Sequence, residues 1–386
     1  MWRQVPMLRR TYARTGPCTA RALNGSLWRV AAAGGSAPGA EGPYGPLLPP
    51  DHDGIALPAG FSGRVIARTG HTVGGLRWHA APDAGACVPD GEGWIYVSNS
   101  AVPLLGGASA IKFRPDGSVR DAYRILSGAT LNRAGCATPW RTWLSGESTV
   151  LGRIFECDPY GVRAAMPRLA MGRFKHQALA CDADRGVVYL TEDEDDGCLY
   201  RFRPMDWGEL IEGELEVLCH APGPAPGRVA WRPVPSPASL FTPARHQVPE
   251  AVHFARTGGC HYADGVLALT TTGDGKVWAY DAAAERLDVV YGGGRLLADP
   301  PHRGHDLYTA EDGGALEISV VTPDTAGPGP LLRLTGQDRS KITGLAFSPD
   351  GRRLYFSTRL TLARRPSRSL TAIGGTTYEI TGPFRP

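Results

Sequence analysis

The stretch GEGWIYVSN (residues 91–99) places a glycine-rich turn directly before a run of aromatic and β-branched residues. A turn followed by such a run is typical of a strand that a tight hairpin joins to its neighbour. Four further stretches repeat the arrangement: RGVVYLTED (185–193), DGVLALTTT (264–272), GHDLYTAED (304–312) and DGRRLYFST (350–358). The recurrence predicts an all-β protein built from one repeated unit.

The spacing of the units indicates the architecture. Six residues mark the repeat at steps of 47, 46, 78, 41 and 47 residues: Tyr96, Trp143, Tyr189, Leu267, Tyr308 and Tyr355. A period of roughly 40–50 residues with several strands in each unit is typical of a β-propeller. Six markers therefore predict a six-bladed β-propeller around a channel. We expect the strands at 63–70 and 375–381 to pair and close the ring.

The remaining segments define the domain organisation. Residues 1–50 are rich in glycine, proline and alanine and predict a flexible arm, whereas residues 51–386 form one propeller domain. The longest step between markers contains a proline-rich segment at 220–250, which is unsuited to a central strand and predicts an insertion loop. PMDWGELIEGELEVL (204–218) is the one segment in which we expect a turn or two of helix.

Composition and charge exclude several function classes. The chain is 42% hydrophobic, with a formal net charge of +3 and no basic stripe interleaved with aromatic residues, so nucleic acid is not an expected partner. No segment approaches the roughly 18 apolar residues of a membrane span. The basic N-terminus lacks an uninterrupted apolar run, which favours a cytoplasmic location, with export as the alternative. The oligomeric state stays open.

The spacing and surroundings of the cysteines predict buried thiols rather than a metal site. Eight are present, without a CxxC pair or a zinc-like spacing. Most lie within apolar strand patterns, where small buried thiols are expected. Disulfide pairing stays open.

Several ordered motifs resemble the PhoX alkaline phosphatase family. They are WHAAPDAGACVPDGEGWIYVSNS (78–100), AYRILSGATLNRAGCATPWRTWLSGES (122–148), GRIFECDPYG (152–161), GRFKHQALACDADRGVVYLTEDEDDGCLYRF (172–202) and KITGLAFSPDGRRLYF (341–356). The resemblance implies a six-bladed propeller that hydrolyses phosphate esters with an iron and calcium cluster in its channel. The ligands of that cluster are mainly carboxylates, together with one cysteine thiolate.

The chain departs from the family motifs where the metals should bind. Positions at which relatives carry a carboxylate or the ligand cysteine are occupied here by Ala101, Gly146, Ser148, Gln177, Gly258 and Lys341, while Glu147 is retained. The resemblance thus implies a divergent member that lacks most metal-ligand residues. We expect no cofactor, although calcium stays possible, with the acidic run YLTEDEDDGC (189–198) as its candidate site or a solvated turn.

Titratable residues at matched strand ends are the candidate site. We predict that one central pocket contains the catalytic candidates Glu147, His176, Arg256, His261 and Lys341. Histidine suits general acid–base work near neutral pH, and Lys341 supplies positive charge for Glu147 or for an anionic substrate. The candidates for substrate binding are Asp83, Trp140, Trp143, Gln177 and Glu192.

Three functions follow from these observations. The first is a small-molecule enzyme, plausibly of specialised metabolism, that works without the metal cluster by acid–base cyclisation, isomerisation, elimination or hydrolysis. The second is a non-catalytic ligand-binding propeller, and the third is a phosphatase with a reduced, calcium-dependent metal site. The sequence contains no GxSxG elbow, P-loop or GxGxxG after a strand, so nucleophilic triads and nucleotide cofactors are unsupported.

Overall fold

The computed structural model describes most of the chain from residue 42 onward. The described ranges are 42–223, 225–292, 296–297, 302–303, 306–311, 316–322, 329–337, 339–360 and 374–385. Most of the predicted N-terminal arm lies outside these ranges. Its last residues pack on the propeller, where the Tyr44 hydroxyl lies 2.8 Å from that of Tyr308.

Thirty short strands make up the described fold, and they alternate with tight turns. The first four are β1 (Ile55–Ala56), β2 (Ser62–Arg68), β3 (Thr72–Val73) and β4 (Leu76–Arg77). Blade 1 contains β5 (Pro82–Asp90), β6 (Gly93–Ser100), β7 (Gly106–Phe113) and β8 (Val119–Ala129). Blade 2 contains β9 (Asn132–Ala137), β10 (Trp143–Glu147), β11 (Ile154–Cys157) and β12 (Met166–Pro167).

Blade 3 is the largest unit, with β13 (His176–Asp182), β14 (Val187–Glu192), β15 (Gly197–Asp206), β16 (Glu209–His220), β17 (Val229–Pro233) and β18 (His253–Phe254). Blade 4 contains β19 (Thr257–Ala263), β20 (Val266–Thr271), β21 (Lys276–Asp281) and β22 (Arg286–Gly292). Blade 5 contains β23 (Leu296–Leu297), β24 (His302–Arg303), β25 (Asp306–Glu311), β26 (Leu316–Val321) and β27 (Gly329–Leu334), joined by β1. Blade 6 contains β28 (Ser340–Phe347), β29 (Arg353–Leu360) and β30 (Gly375–Thr381), joined by β2.

The repeat markers confirm the six-bladed propeller. Each marker lies in the strand that pairs with the inner strand of its blade, one strand out from the channel. The six strands belong to different sheets: β6, β10, β14, β20, β25 and β29. All six side chains are fully buried. Large side chains at this position fill the wedge between neighbouring blades, because the distance between blades grows away from the axis. The sequence repeat is therefore a packing repeat.

The ring closes as the sequence predicts. β2 pairs antiparallel with β30, so a strand from the beginning of the chain completes the blade formed by its end. Buried Glu379 of β30 strengthens this closure, because its carboxylate accepts hydrogen bonds from Arg64 of β2 at 2.8 Å and from Arg353 of β29 at 2.9 Å. Charged hydrogen bonds of this kind are stronger than neutral ones.

Two local predictions need correction. Residues 204–218 are not helical: they form the hairpin of β15 and β16, which turns at Trp207-Gly208 with Gly208 at a φ of 102°. The strong helix propensity of glutamate and leucine yields here to the burial of one face, which contains Leu215 and Val217. The proline-rich segment is also more than a loop, since it contains β17 at the outer edge of blade 3, where proline is tolerated. The described residues include only two short 3₁₀ turns, Leu169–Met171 and Ala244–His246, and no helix long and apolar enough to cross a membrane.

Candidate active site

The inner strands of five blades, β5, β9, β13, β19 and β28, surround the described part of the channel. We call the end at which these strands begin the upper end. Near that end the ladder of each inner strand is interrupted by one extra residue, a β-bulge. The bulges contain Asp83 and Ala84, Arg133, Gln177, Gly258 and Gly259, and Gly344 and Leu345. Bulges often re-aim side chains next to active sites.

The bulged residues line one cavity, which we call the upper cavity. Its volume is about 80 Å³, and all the bulged residues except Gly258 contribute to its wall. Lys341, Thr343 and Arg359 complete the polar part of the lining. Gly344 has a φ of 63°, and a Cβ there would lie 2.4 Å from the carbonyl oxygen of Asp83, so this bulge requires glycine.

Basic side chains dominate the upper cavity. Among the described lining residues, Arg133, Lys341 and Arg359 face one carboxylate, Asp83, whose Oδ2 lies 2.7 Å from Nη1 of Arg359. Arg133 contacts Asp193 just outside the lining, with 3.3 Å between Nη1 and Oδ2. The electrostatic character of the cavity therefore favours anions over metal cations.

Three predicted residues, Asp83, Gln177 and Lys341, meet in this cavity. Gln177 is half-buried, and its Oε1 has no hydrogen-bond partner in the described part of the chain. The sequence did not identify Arg133 and Arg359 as lining residues. No local pattern shows that Arg133 lies in the bulge of β9 or that Arg359 of β29 lies beside Asp83 of β5. The cavity does not contain the other four catalytic candidates.

Glu147 lies at the end of the second strand of blade 2 and does not line the upper cavity. Its carboxylate is 2% exposed and accepts four hydrogen bonds, from Nε, Nη2 and the backbone N–H of Arg153 and from the backbone N–H of Thr130, at 3.0 to 3.2 Å. The expected pairing with Lys341 is thus replaced by a pairing with Arg153. The contacts hold the loop between β10 and β11 in place.

His176 begins the inner strand β13, but its side chain enters the core between blades. The ring is fully buried and stacks against Phe174 with centroids 4.1 Å apart. Neither ring nitrogen has a hydrogen bond of normal geometry among the described residues. Burial lowers the pKa of His176 to about 3, opposed only in part by backbone groups of Gly152 and Gly172. The imidazole is neutral at physiological pH.

The acidic run forms a turn in which every carboxylate contacts a basic side chain. Glu192, buried at the end of β14, binds Arg245 at 2.9 Å and the hydroxyl of Tyr200 at 2.8 Å, and burial raises its pKa. The other pairs are Asp193 with Arg133, Glu194 with Lys175, Asp195 with Arg256, and Asp196 with Arg245 and His246. Arg256, predicted to lie in the pocket, is thus committed to Asp195 at 2.7 Å on the upper surface. The carboxylates of this turn are therefore already engaged by side chains of the protein.

The two tryptophans lie away from the cavity. Trp143 is fully buried and donates from Nε1 to Oδ1 of Asn99 at 2.9 Å. Trp140 lies in the turn at the lower end of blade 2, donates to Glu156 at 2.8 Å and packs edge-on against Trp207. Both are structural in this geometry.

His261 lines a second cavity, which we call the lower cavity, farther down the channel. Its volume is about 480 Å³, and Gly135 and Leu345 border both cavities. The two described cavities thus do not bring the five catalytic candidates together: Lys341 lines the upper cavity, His261 the lower, and Glu147, His176 and Arg256 line neither.

Comparison with known proteins identifies the family. The family model of alkaline phosphatase PhoX matches residues 99–296, just over half of the chain. The chain belongs to the PhoX family. No curated protein sequence matches it.

The PhoX-family chain also resembles solved propellers. PhoX of Pseudomonas fluorescens, in complex with the transition state analogue vanadate, superimposes with a TM-score of 0.66 at 15% identity, over 87% of this chain and 97% of that one. A gluconolactonase of Xanthomonas campestris superimposes with a TM-score of 0.51 at 14% identity, over 88% of this chain and 98% of that one. At these identities the similarities concern the fold.

A PhoX metal cluster requires several carboxylate donors and a thiolate close together. No group of three or more His, Cys, Asp or Glu side chains among the described residues of this chain is arranged to hold a metal ion. At Gly146, where relatives carry the ligand cysteine, a Cβ would lie 2.9 Å from the Cβ atoms of Ala134 and His176 and from Cδ1 of Ile154. Such contacts are closer than real Cβ atoms make. The described donor set does not fit the iron and calcium cluster.

Proposed function

We propose that this PhoX-family propeller is a small-molecule enzyme that binds an anionic substrate in the upper cavity and acts by acid–base chemistry without the metal cluster. The observation that carries the proposal is the convergence of Arg133, Lys341 and Arg359 on one cavity, where Asp83 is the one carboxylate of the described lining. The substrate class is a small molecule with a carboxylate or phosphate group.

The charges of the cavity support an anionic substrate. Lys341 and Arg359 occupy directly opposed positions of the β28–β29 ladder, and like charges at such positions repel each other. Asp83 offsets one of the two through its ion pair with Arg359. The ammonium of Lys341 can bind a carboxylate or phosphate group, and the guanidinium of Arg133 provides a planar set of donors for the same group.

The donor chemistry argues against a cluster of multivalent cations at this place. Several carboxylates are needed to offset the charge of such ions, whereas three of the four charged residues in the described part of the lining are cations. Glu147, which the family motif retains, is already bound to Arg153. The carboxylates of the acidic turn each contact a basic side chain, which also disfavours calcium there.

The lining side chains can divide the chemistry among them. The ammonium of Lys341 can stabilise negative charge that develops on a substrate oxygen, because it is fixed on a strand beside that charge. The carboxylate of Asp83 is the lining group that can accept a proton. The side-chain amide of Gln177 can orient a substrate hydroxyl or N–H group through Oε1. These roles suit cyclisation, isomerisation, elimination or hydrolysis.

Binding and metal analysis test the proposal together. Purified full-length protein, prepared with iron and calcium present, is analysed for metals and titrated with inorganic phosphate and with acetate at constant ionic strength. We expect less than one iron per chain, and binding of at least one of the two anions that Lys341→Ala weakens. Turnover is then sought with a panel of anionic esters, lactones and β-hydroxy acids.

The opposing outcomes are distinct. A stoichiometric iron signal with phosphate ester hydrolysis overturns the proposal in favour of the family reaction. Anion binding without turnover of the whole panel favours the non-catalytic binding propeller. Absence of anion binding shows that the upper cavity is a structural remnant.

A further inference from the structure

The lower cavity contains a ring of thiols that the proposed function does not use. Four consecutive inner strands each contribute one cysteine to its lining: Cys87 of β5, Cys136 of β9, Cys181 of β13 and Cys260 of β19. The cavity is about 480 Å³ in volume and also contains His261 and Tyr262. The propeller, and not the spacing of the cysteines in the sequence, brings these thiols to one cavity.

Two of these thiols touch. Sγ of Cys136 and Sγ of Cys181 are 3.7 Å apart, although the residues are separated by 45 positions in the chain. Their strands belong to different sheets, so the contact joins blade 2 to blade 3 without any backbone hydrogen bond between the two strands. Both side chains are half-buried, on the wall of a cavity large enough to admit a small oxidant.

The other described thiols are less suited to reaction. Cys157, Cys198, Cys219 and Cys260 are buried, and burial raises the pKa of the Cys87, Cys157, Cys198 and Cys219 thiols. Because the thiolate is the reactive form of cysteine, these groups react slowly with oxidants. The same geometry does not suit a metal ion, since no third donor joins the pair among the described residues.

We propose that Cys136 and Cys181 are a redox-active pair that peroxides oxidise to a disulfide between blades 2 and 3. The thiolate of one cysteine attacks a peroxide oxygen, the O–O bond breaks, and the other oxygen leaves as water or an alcohol after taking a proton. The sulfur of the second cysteine then attacks the resulting sulfenic acid, the S–O bond breaks, and water leaves as the S–S bond forms. Two electrons pass from the sulfurs to the peroxide.

The contact distance permits this bond with a small adjustment. A disulfide bond is about 2.05 Å long, so the sulfurs approach by roughly 1.7 Å, which side-chain rotation and slight shifts of the two strands provide. The bond closes a loop of the unfolded chain and therefore stabilises the oxidised fold. It also adds a covalent link between the inner strands β9 and β13, which belong to different sheets. The inference does not depend on the reaction in the upper cavity.

Peptide mapping tests the inference on the wild-type protein. Folded full-length protein is treated with hydrogen peroxide, remaining thiols are blocked with N-ethylmaleimide, and a tryptic digest is analysed without reduction. We expect a crosslink between AGCATPWR (134–141) and HQALACDADR (176–185), lighter by two hydrogen atoms than the sum of the two peptides. Dithiothreitol should abolish the crosslink, and the oxidised protein should have the higher Tm.

Serine variants provide the controls. Cys136→Ser and Cys181→Ser should each abolish the crosslink, whereas Cys260→Ser, which alters another thiol of the same cavity, should retain it. The inference is overturned if both cysteines remain labelled by N-ethylmaleimide after peroxide treatment. It is equally overturned if the crosslink forms only in urea, or if Cys136 pairs with Cys260 instead. The wild-type map decides these outcomes even if a serine variant does not fold.

Discussion

Lys341 and Arg359 are directly opposed Cα partners in the β28–β29 ladder, and both side chains line the upper cavity. Two cations at such positions repel each other unless an anion lies between or beside them. Asp83 contacts Arg359 at 2.7 Å. Lys341 and Arg359 therefore place two cations at the upper end of the channel, and their effect on anion binding can be measured.

Removal of Lys341 should separate binding from stability. Lys341→Ala removes one of two opposed cations, so the free energy of unfolding should change by no more than about 1 kcal/mol. Phosphate binding should weaken by about tenfold or more, equivalent to about 1.4 kcal/mol. Titration calorimetry and urea unfolding measure the two effects. Lys112→Ala, which removes a lysine paired with Asp90, is the matched control and should leave binding intact.

Removal of the Asp83 carboxylate should strengthen phosphate binding, whereas removal of Lys341 should weaken it. Asp83→Asn leaves Arg133, Lys341 and Arg359 without their lining carboxylate, so phosphate should bind several-fold more tightly at low ionic strength. The variant should also lose about 1–3 kcal/mol of stability, because Arg359 loses its ion pair. Weaker phosphate binding by Asp83→Asn would contradict the charge argument.

Glu147 should behave as a structural residue. Glu147→Gln removes charged hydrogen bonds from Arg153 and should lower the free energy of unfolding by about 1.5–3 kcal/mol. Phosphate binding by the folded variant should be unchanged. Glu92→Gln, at an exposed site in the β5–β6 turn, should alter neither property. A binding defect in Glu147→Gln without loss of stability would return this residue to the functional site.

His176 should make the protein sensitive to mild acid. Because its pKa is about 3 in the folded state and about 6.5 when exposed, the unfolded state takes up the proton first as the pH falls. Above pH 6.5 the ring is neutral in both states and the stability that it contributes is fully present. Below pH 6 the free energy of unfolding should fall by about 1.4 kcal/mol for each pH unit.

Buried His79, whose pKa is also lowered to about 3, adds a similar slope. His176→Leu should therefore remove about half of the stability loss that the two histidines cause between pH 6.5 and 5. Urea unfolding at both pH values measures it. An unchanged slope in His176→Leu would show that the ring is accessible to solvent.

Restoring the family cysteine should not restore a metal site. The Cβ introduced by Gly146→Cys meets Ala134, His176 and Ile154 at 2.9 Å, so the variant should lose about 1–3 kcal/mol of stability. Gly146→Ala introduces the same Cβ without a thiol and should cost about the same. Iron analysis of Gly146→Cys should remain below one iron per chain. A stable variant that binds iron would contradict the packing argument.

The blades could be predicted from the sequence because their signal is local. A turn, a run of aromatic and β-branched residues and a buried marker such as Tyr96 or Tyr355 all lie within nine residues. The closing pair β2 and β30 was also predictable, since both ends of the domain contain a strand that needs a partner.

The site is only partly predictable, because the sequence does not distinguish the ends of inner strands, which line the channel, from the ends of second strands. Glu147 and Glu192 end the second strands β10 and β14, so they lie away from the channel. His176 and Gln177 are neighbours on the inner strand β13, but the bulge directs Gln177 into the channel and His176 into the core. Bulge positions depend on the register between strands, which no local pattern in this sequence specifies.

The closure of blade 6 has a consequence for how the protein is made. Synthesis releases β2 early, and its partner β30 follows only after the intervening blades, so that Ser62 and Thr381, which share a hydrogen bond, are 319 positions apart. For most of translation β2 is therefore an unpaired strand edge, of the kind that promotes aggregation. A permuted gene that encodes residues 54–70 after β30 would make this pairing local, and its product should refold faster with less loss to aggregates.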